Sequence, residues 1–281
     1  MRKIFLLLVI SFGISSSISA QSIKIITYNV RYDNPKDGEN RWDNRKGFLT
    51  DQIKFYEPDF LGTQEGLVHQ VSFIDSVLPQ YDYIGIGRND GKAEGEFTAI
   101  FYNSKKFNLI QNSTFWLSET PDIPSKGWDA SLNRICTYGL FENKTTNEKV
   151  WIFNTHFDHR GVQARSNSTQ LIIEKIKKIN KENYPVIFMG DLNLEPKSEA
   201  IQYLSKQLND TKTANSIIAF GPTGTYNGFN FDKPVTRRID YIFVSKRNIE
   251  VVKYAVLSDS KDLRYPSDHL PVYAEIILKE N

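Results

Sequence analysis

Apolar residues along the chain follow two spacings, and the switch between them separates strands from helices. Ile23 to Val30 is an almost continuous apolar run, as expected of a strand covered on both faces. Asn40 to Tyr56 carries helical spacing that stops before Pro58. Phe60 to Thr63 predicts a short strand, and Leu67 to Leu78 a helix halted by Pro79. Strands then follow with no helix between them: Tyr81 to Ile86, Phe97 to Tyr102, Phe107 to Trp116, Arg134 to Glu142 and Val150 to His156. Gln163 to Asn180 sets Leu171, Ile172, Ile176 and Ile179 among lysines, an amphipathic helix. Val186 to Met189 is a strand running into Gly190-Asp191, and Ser198 to Leu208 a helix. Arg238 to Val244, Ile249 to Leu257 and Leu270 to Leu278 are the last strands. Helices early and late, with strands between, predict two packed sheets covered by helices, an α/β (α+β) architecture. The loops Asp33 to Arg41, Asn89 to Glu94, Thr120 to Ser131 and Phe220 to Thr236 are rich in Gly, Pro, Asn and Asp. Such loops on a rigid sheet are where selectivity is expected.

The start of the chain breaks the pattern. Met1-Arg2-Lys3, the apolar stretch Ile4 to Ile14 and a small-residue end at Ser19-Ala20 have the form of a signal peptide over residues 1–20. The apolar stretch is short for a membrane anchor, which is the rival reading. The expectation is therefore an exported protein, periplasmic or extracellular, whose catalytic domain occupies residues 21–281 as a monomer with no remaining membrane span. Setting Arg2 and Lys3 aside leaves 33 acidic residues balanced by as many basic ones. That balance argues against the broad basic face of a nonspecific nucleic-acid binder. Cys136 is the only cysteine, so no intramolecular disulfide forms, and a chain this long buries enough core without one.

Polar groups recur where the predicted strands end. Asn29 closes the first strand, Glu65 follows Gly62-Thr63-Gln64, Glu96 opens one strand and Arg134 another. His156 closes Asn154-Thr155, and Asp191 and Asn193 follow Gly190. Asp240 opens a late strand, and Asp268-His269 precedes the last. If those two strand ends lie side by side, Asp240 meets the His269 ring and leaves Asp268 for a metal. A carboxylate that orients an imidazole suits hydrolytic acid–base work. Oxygen donors without clustered cysteine or histidine suit a hard cation. Singly, each residue has a plainer reading: Asn29 as a turn residue, Glu65 as a helix cap, Arg134 as a surface ion pair, His156 as a core histidine. Asp158 and His159 read as turn residues ahead of Gly161, and Trp42 as packing its helix onto the sheet.

Together, Thr27-Tyr28-Asn29-Val30, Gly62-Thr63-Gln64-Glu65, Asn154-Thr155-His156, Gly190-Asp191-Leu192-Asn193, Arg238-Ile239-Asp240-Tyr241 and Ser267-Asp268-His269 resemble, in order, the endonuclease/exonuclease/phosphatase superfamily. This is the group of deoxyribonuclease I-like metal-dependent hydrolases, and the resemblance runs from Ile23 to Ile277. It implies a four-layer sandwich: two mixed, mainly antiparallel sheets face to face with helices outside. It also implies a phosphoester hydrolase using in-line attack of water and a divalent metal, Mg²⁺ first, with Mn²⁺ or Ca²⁺ as alternatives. Carried over by motif, Glu65, Asn29 and Asp268 correspond to metal ligands. His269 held by Asp240, together with Asp191, Asn193, His156 and Glu96 as its partner, corresponds to the catalytic set. Arg134 corresponds to a phosphate-facing arginine.

The segment Asn29-Val30-Arg31-Tyr32-Asp33, followed by Asp37-Gly38-Glu39-Asn40-Arg41-Trp42 and Arg45, is similar to an exported bacterial subgroup. There Arg31 or Arg45 is expected to grip phosphate. In Thr225-Tyr226-Asn227-Gly228-Phe229, Tyr226 or Asn227 is expected to contact a sugar or headgroup. The substrate expectation places a phosphodiester first, on a small molecule, lipid headgroup or nucleic acid, with a phosphomonoester or nuclease activity as rivals. The reading from a different class is a binding protein that keeps the fold without turnover. The intact histidines and Gly-Asp-x-Asn carboxylate argue against it.

Overall fold

The structure, a computed structural model, describes residues 22–214 and 217–279, so the expected signal peptide lies outside the described residues. Strand β1 (Ser22–Asn29) pairs antiparallel with β13 (Val272–Leu278) and parallel with β2 (Phe60–Gln64). The same sheet extends through β4 (Ile100–Asn103) to β3 (Tyr81–Ile84), and on its other side through β12 (Ile249–Val256) to β10 (Ile218–Phe220). Its order is β10-β12-β13-β1-β2-β4-β3. The second sheet is built from β5 (Phe107–Trp116), β6 (Ile135–Asn143), β7 (Lys149–His156), β8 (Val186–Asp191), β11 (Asp240–Val244) and β9 (Asn209–Asp210), in that order.

Parallel neighbours need a crossover, and helices supply it. Helix α1 (Trp42–Tyr56) links β1 to β2, and α3 (Val162–Ile179) links β7 to β8. Together with α2 (Val68–Val77) and α4 (Glu199–Gln207), they form the outer layers. One apolar core lies between the sheets and includes Ile25, Phe60, Ile152, Ile187, Ile242 and Ile276. A second lies under α3 and α4 around Phe153, Ile172, Phe188 and Leu204, and a third under α1 and α2 around Tyr28, Leu49, Leu61 and Ile74. Strands covered on both faces read as continuous apolar runs, and β2, β8 and β11 are buried along their whole length. The four-layer sandwich is as expected. Among the described residues no helix is long and apolar enough to cross a membrane.

Several boundaries differ from the expected ones. Helix α1 begins at Trp42, and the residues ahead of it form a separate 3₁₀ turn, Pro35–Asn40, entered through Asn34, whose side chain accepts from the Lys36 N–H. The strand expected from Phe97 starts only at Ile100, and Phe97 makes an isolated bridge to Gly66. The short β9 and β10 have too few residues to show a period.

Beneath one edge of the sandwich a polar network ties the sheets together. Gln64 donates to Asn154 Oδ1 (2.7 Å) and Thr27 Oγ1 (3.0 Å), while Asn154 donates to the carbonyls of Thr63 and Ala99. The sheets approach closely here because Gly62 has no side chain: a Cβ would lie 2.7 Å from Met189 Cε and 2.9 Å from Asn154 Cγ.

Candidate active site

The strand registers align the polar ends at that same edge. Asn29 pairs with Gln64 across β1 and β2, while Asp191 is flanked by His156 on β7 and Asp240 on β11. Gly190, at φ 148°, brings β8 so close to β7 that a Cβ would lie 2.0 Å from the Thr155 carbonyl oxygen. The chain leaves three of these strand regions through left-handed residues, Arg31 (φ 56°), Glu65 (φ 66°) and Asn193 (φ 49°), a backbone choice that non-glycine residues make rarely.

His269 Nδ1 is 2.9 Å from Asp240 Oδ2, and its Nε2 faces Asp191 Oδ2 at 3.8 Å. Burial disfavours the charged imidazole, but the Asp240 and Asp191 charges outweigh it and hold His269 protonated well above its ordinary range. Asp191 is itself pushed up to about 7, first by burial and then by Asp240. Its Oδ1 accepts from the Asn193 N–H (2.9 Å), and its Oδ2 from Asn29 Nδ2 (3.0 Å). Asn29 Nδ2 also donates to Glu65 Oε1 (3.0 Å), and the Tyr32 N–H donates to Glu65 Oε2 (3.1 Å). Burial works against the Glu65 charge, yet His269, Asn29, Tyr32 and Arg31 together lower its pKa. Asp268, raised by burial, lies 3.7 Å from Arg31.

Ligand-type atoms of Glu65, Asp191 and His269 all lie within 4.8 Å of one another. Buried carboxylates crowded together in this way suit a hard divalent cation, whose charge relieves their repulsion. Asn29, expected as a ligand, instead turns its amide nitrogen to Glu65 and Asp191, because its Oδ1 accepts from the Arg31 N–H at 3.0 Å.

The second histidine faces a different neighbourhood. His156 Nε2 is 3.1 Å from Asn193 Nδ2 and 3.4 Å from Asp191 Oδ2. Glu96, expected to partner it, is 3.8 Å from its Nδ1 and forms a 2.6 Å ion pair with Arg88 instead. Burial and then the Glu65 charge push Glu96 up to about 7. Burial and the Arg134 charge push His156 well below its ordinary range. Arg134 is held by Asp158 Oδ2 (3.4 Å) and His159 Nδ1 (3.1 Å), with its Nη1 lacking a protein partner. Asp158 is the turn residue expected, accepting from the Arg160 and Gly161 N–H groups, and it orients Arg134 as well.

Two expected substrate contacts, Arg45 to phosphate and Asn227 to a sugar or headgroup, are corrected. Arg45 is buried, and its guanidinium donates to the carbonyls of Asn40, Val30, Arg31 and Pro266. It therefore bolts the loop after β1 to the loop before β13 instead of gripping phosphate. Asn227 is likewise committed to its own loop: Nδ2 donates to the Ser267 carbonyl and Oδ1 accepts from the Phe229 N–H. Arg31 forms a two-point pair with Asp37 and leaves Nη1 toward Asp268 and Glu65. Tyr226 sets its ring edge-on to His269, centroids 5.1 Å apart, with Arg237 over its face. Arg88 was not foreseen, since no period or motif marks the loop that carries it. A groove of about 600 Å³ between α3 and residues 245–248 is at the opposite strand ends and holds none of these groups.

The sequence profile of the Endonuclease/Exonuclease/phosphatase family matches residues 26–269. A protein of that family from Bacteroides thetaiotaomicron superposes with a TM-score of 0.88 at 38% identity, covering 92% of this chain and 99% of its own. A mannosyl-6-phosphatase from the same bacterium gives 0.87 at 39% identity, covering 91% and 100%. Among curated proteins, one from Acanthamoeba polyphaga mimivirus is 34% identical over 197 residues, 64% of this chain and 72% of that one. Other curated relatives are longer, and the chain spans only 40% of a second mimivirus protein and 60% of rat Nocturnin.

Proposed function

The chain belongs to the Endonuclease/Exonuclease/phosphatase family of phosphoester hydrolases, and from that premise we propose an exported, divalent-metal-dependent phosphatase that releases phosphate from a phosphorylated sugar. The observation that carries the hydrolytic reading is the buried Asp240–His269 pair facing Asp191 beside Glu65. A sugar monoester is favoured over the phosphodiester ranked first above by the mannosyl-6-phosphatase, which is similar over its whole length.

Glu65 would hold the cation, with Asp191 and Asp268 as flanking carboxylates; bound there, it supplies Lewis-acid charge to the phosphoryl oxygens. His269, protonated and fixed by Asp240, donates its Nε2 proton toward charge that develops on phosphate. Asp191, oriented by Asn29 and Asn193, is the proton acceptor for the attacking water, and its raised pKa suits that task near neutral pH. Arg31 Nη1 supplies positive charge for the remaining phosphate oxygens, and the buried Arg134 guanidinium adds to the positive field behind them.

The test is phosphate release by the purified protein from mannose 6-phosphate and 4-nitrophenyl phosphate, beside nitrophenol release from bis(4-nitrophenyl) phosphate, with Mg²⁺, Mn²⁺, Ca²⁺ or chelator. Monoester turnover that stops with chelator, and falls by about 10²- to 10⁴-fold in His269→Ala, is expected. Turnover of the diester alone would overturn the monoester assignment. Turnover that persists in chelator would overturn the metal.

A further inference from the structure

The amide beside His156 bears on where its ring proton sits. Asn193 Nδ2 donates to the Phe157 carbonyl at 3.1 Å, which fixes which end of the amide is nitrogen. The same Nδ2 lies 3.1 Å from His156 Nε2, nearer than Asp191 Oδ2 at 3.4 Å, which favours Nε2 as the acceptor of that hydrogen bond. The ring proton therefore sits on Nδ1, and that buried atom has no protein partner. Arg134 Nη1 is a second buried donor without a partner. Both border one small space, about 10 Å³ for the centre of a water-sized sphere, lined also by Arg88, Glu96, Thr98 and Ile135. Glu96 Oε2 lies 3.8 Å from His156 Nδ1 and 4.0 Å from Arg134 Nη1, too far for direct hydrogen bonds. Arg88, buried and 2.6 Å from Glu96 Oε2, holds the carboxylate at that distance.

We propose that this space binds one ordered water that accepts from His156 Nδ1 and Arg134 Nη1 and donates to Glu96, and that Arg88 creates the site by holding Glu96 off the imidazole. The polarity and size meet what a buried water requires, about three hydrogen-bond partners in a space of roughly 10–15 Å³. Arg88 and Glu96 are then positioning residues. Acting through the water, they lock the His156 tautomer and keep the Nε2 lone pair directed at Asn193 and the reacting edge. Only the effect on turnover rests on the phosphatase reading; the tautomer and the water do not.

The tautomer is read without substrate. Long-range ¹H–¹⁵N correlation spectra of the full-length protein, with His156→Gln to assign the signal, should show Nδ1–H and an unprotonated Nε2 in His156 near neutral pH. A crystal structure that resolves solvent should show density within hydrogen-bonding reach of His156 Nδ1, Arg134 Nη1 and Glu96. Arg88→Met should let Glu96 close on His156 and displace the water, lowering kcat by about 10- to 100-fold with KM little changed. Should that variant fail to fold, Glu96→Gln, which still offers an oxygen to the water, should keep kcat near native, and Glu96→Leu, which cannot hold the water, should lower kcat to a similar degree with KM little changed. An Nε2–H tautomer in the native protein, a solvent-resolved structure with no such density, or a Glu96→Leu variant with native kcat would each overturn the proposal.

Discussion

Replacing Arg45 by Met tests whether this arginine is a bolt or a phosphate grip. Its guanidinium makes hydrogen bonds to the carbonyls of Asn40, Val30, Arg31 and Pro266, and the rings of Trp42 and Phe229 lie over it at 5.2 and 5.9 Å. A charged hydrogen bond contributes about 1.5–3 kcal/mol, and a carbonyl left buried without a partner costs about 1–3 kcal/mol. These terms are not additive, and Met preserves most of the packing against the rings. The closer guide is the roughly 3–5 kcal/mol lost when a buried charge network loses one member. At about 2–4 °C per kcal/mol for a domain of this size, the melting temperature should fall by roughly 10 °C. Because the Pro266 carbonyl immediately precedes Ser267-Asp268-His269, kcat should fall with the loosened histidine while KM for phosphate esters changes little. Arg45→Lys should recover only part of the loss, since one ammonium cannot span the same carbonyls. Differential scanning fluorimetry beside steady-state kinetics decides the matter. An unchanged melting temperature with a strongly raised KM would refute the bolt and restore Arg45 as a phosphate ligand.

Asp268→Asn should raise the melting temperature in chelator, because burial and the Glu65 charge disfavour the ionised carboxyl, while lowering turnover; a lower melting temperature would count against this account of the carboxylate crowding. Gly190→Ala should destabilise the protein by about 3 kcal/mol or more, since the backbone at φ 148° leaves its new methyl against the Thr155 carbonyl, and soluble protein with native melting would contradict it. Asp158 gives the pH prediction: burial raises its pKa, but the N–H groups of Gly161, Arg160 and Ser131 and the Arg134 charge outweigh that and hold it below the ordinary 3.8. Its ionised form therefore stabilises the fold above pH 3.8, and that contribution is lost as pH falls through the lower folded-state value. The stability gap between native protein and Asp158→Asn, measured by urea titration, should be widest near neutral pH and close in strong acid, and a gap independent of pH would refute the assignment.

Most of the framework could be read from the chain because its signals are local. The long strands β1, β7 and β8 are apolar runs that end in polar residues, so Asn29, His156 and Asp191 stood out where the period broke. Ser267-Asp268-His269 was legible for the same reason, and the expected pairing of Asp240 with His269 forms, but across the gap between the two sheets and not between neighbouring strands. Arg45 was misread because sequence places a cation near the site without showing what its donors meet; carbonyls from Val30 and Pro266, far apart in the chain, satisfy it. The diversion of Glu96 to Arg88 was invisible for a related reason. Both residues lie in or beside a loop whose course is set by tertiary packing, including the Trp116 Nε1 bond to the Arg88 carbonyl (2.7 Å).

The contacts that define the site cross from one sheet to the other. Asn29 and His269 belong to the seven-stranded sheet and its approaches, while Asp191 and Asp240 belong to the six-stranded one. The distance between the proposed catalytic partners is thus the gap between the two sheets, gauged by Gly62 and the Gln64–Asn154 bond directly below. A few tenths of an ångström of swelling there would separate the proposed acid from the proposed base while every strand stays paired. The enzyme should therefore fall silent on warming before it melts, and added core volume far from any substrate should act as an inhibitor would.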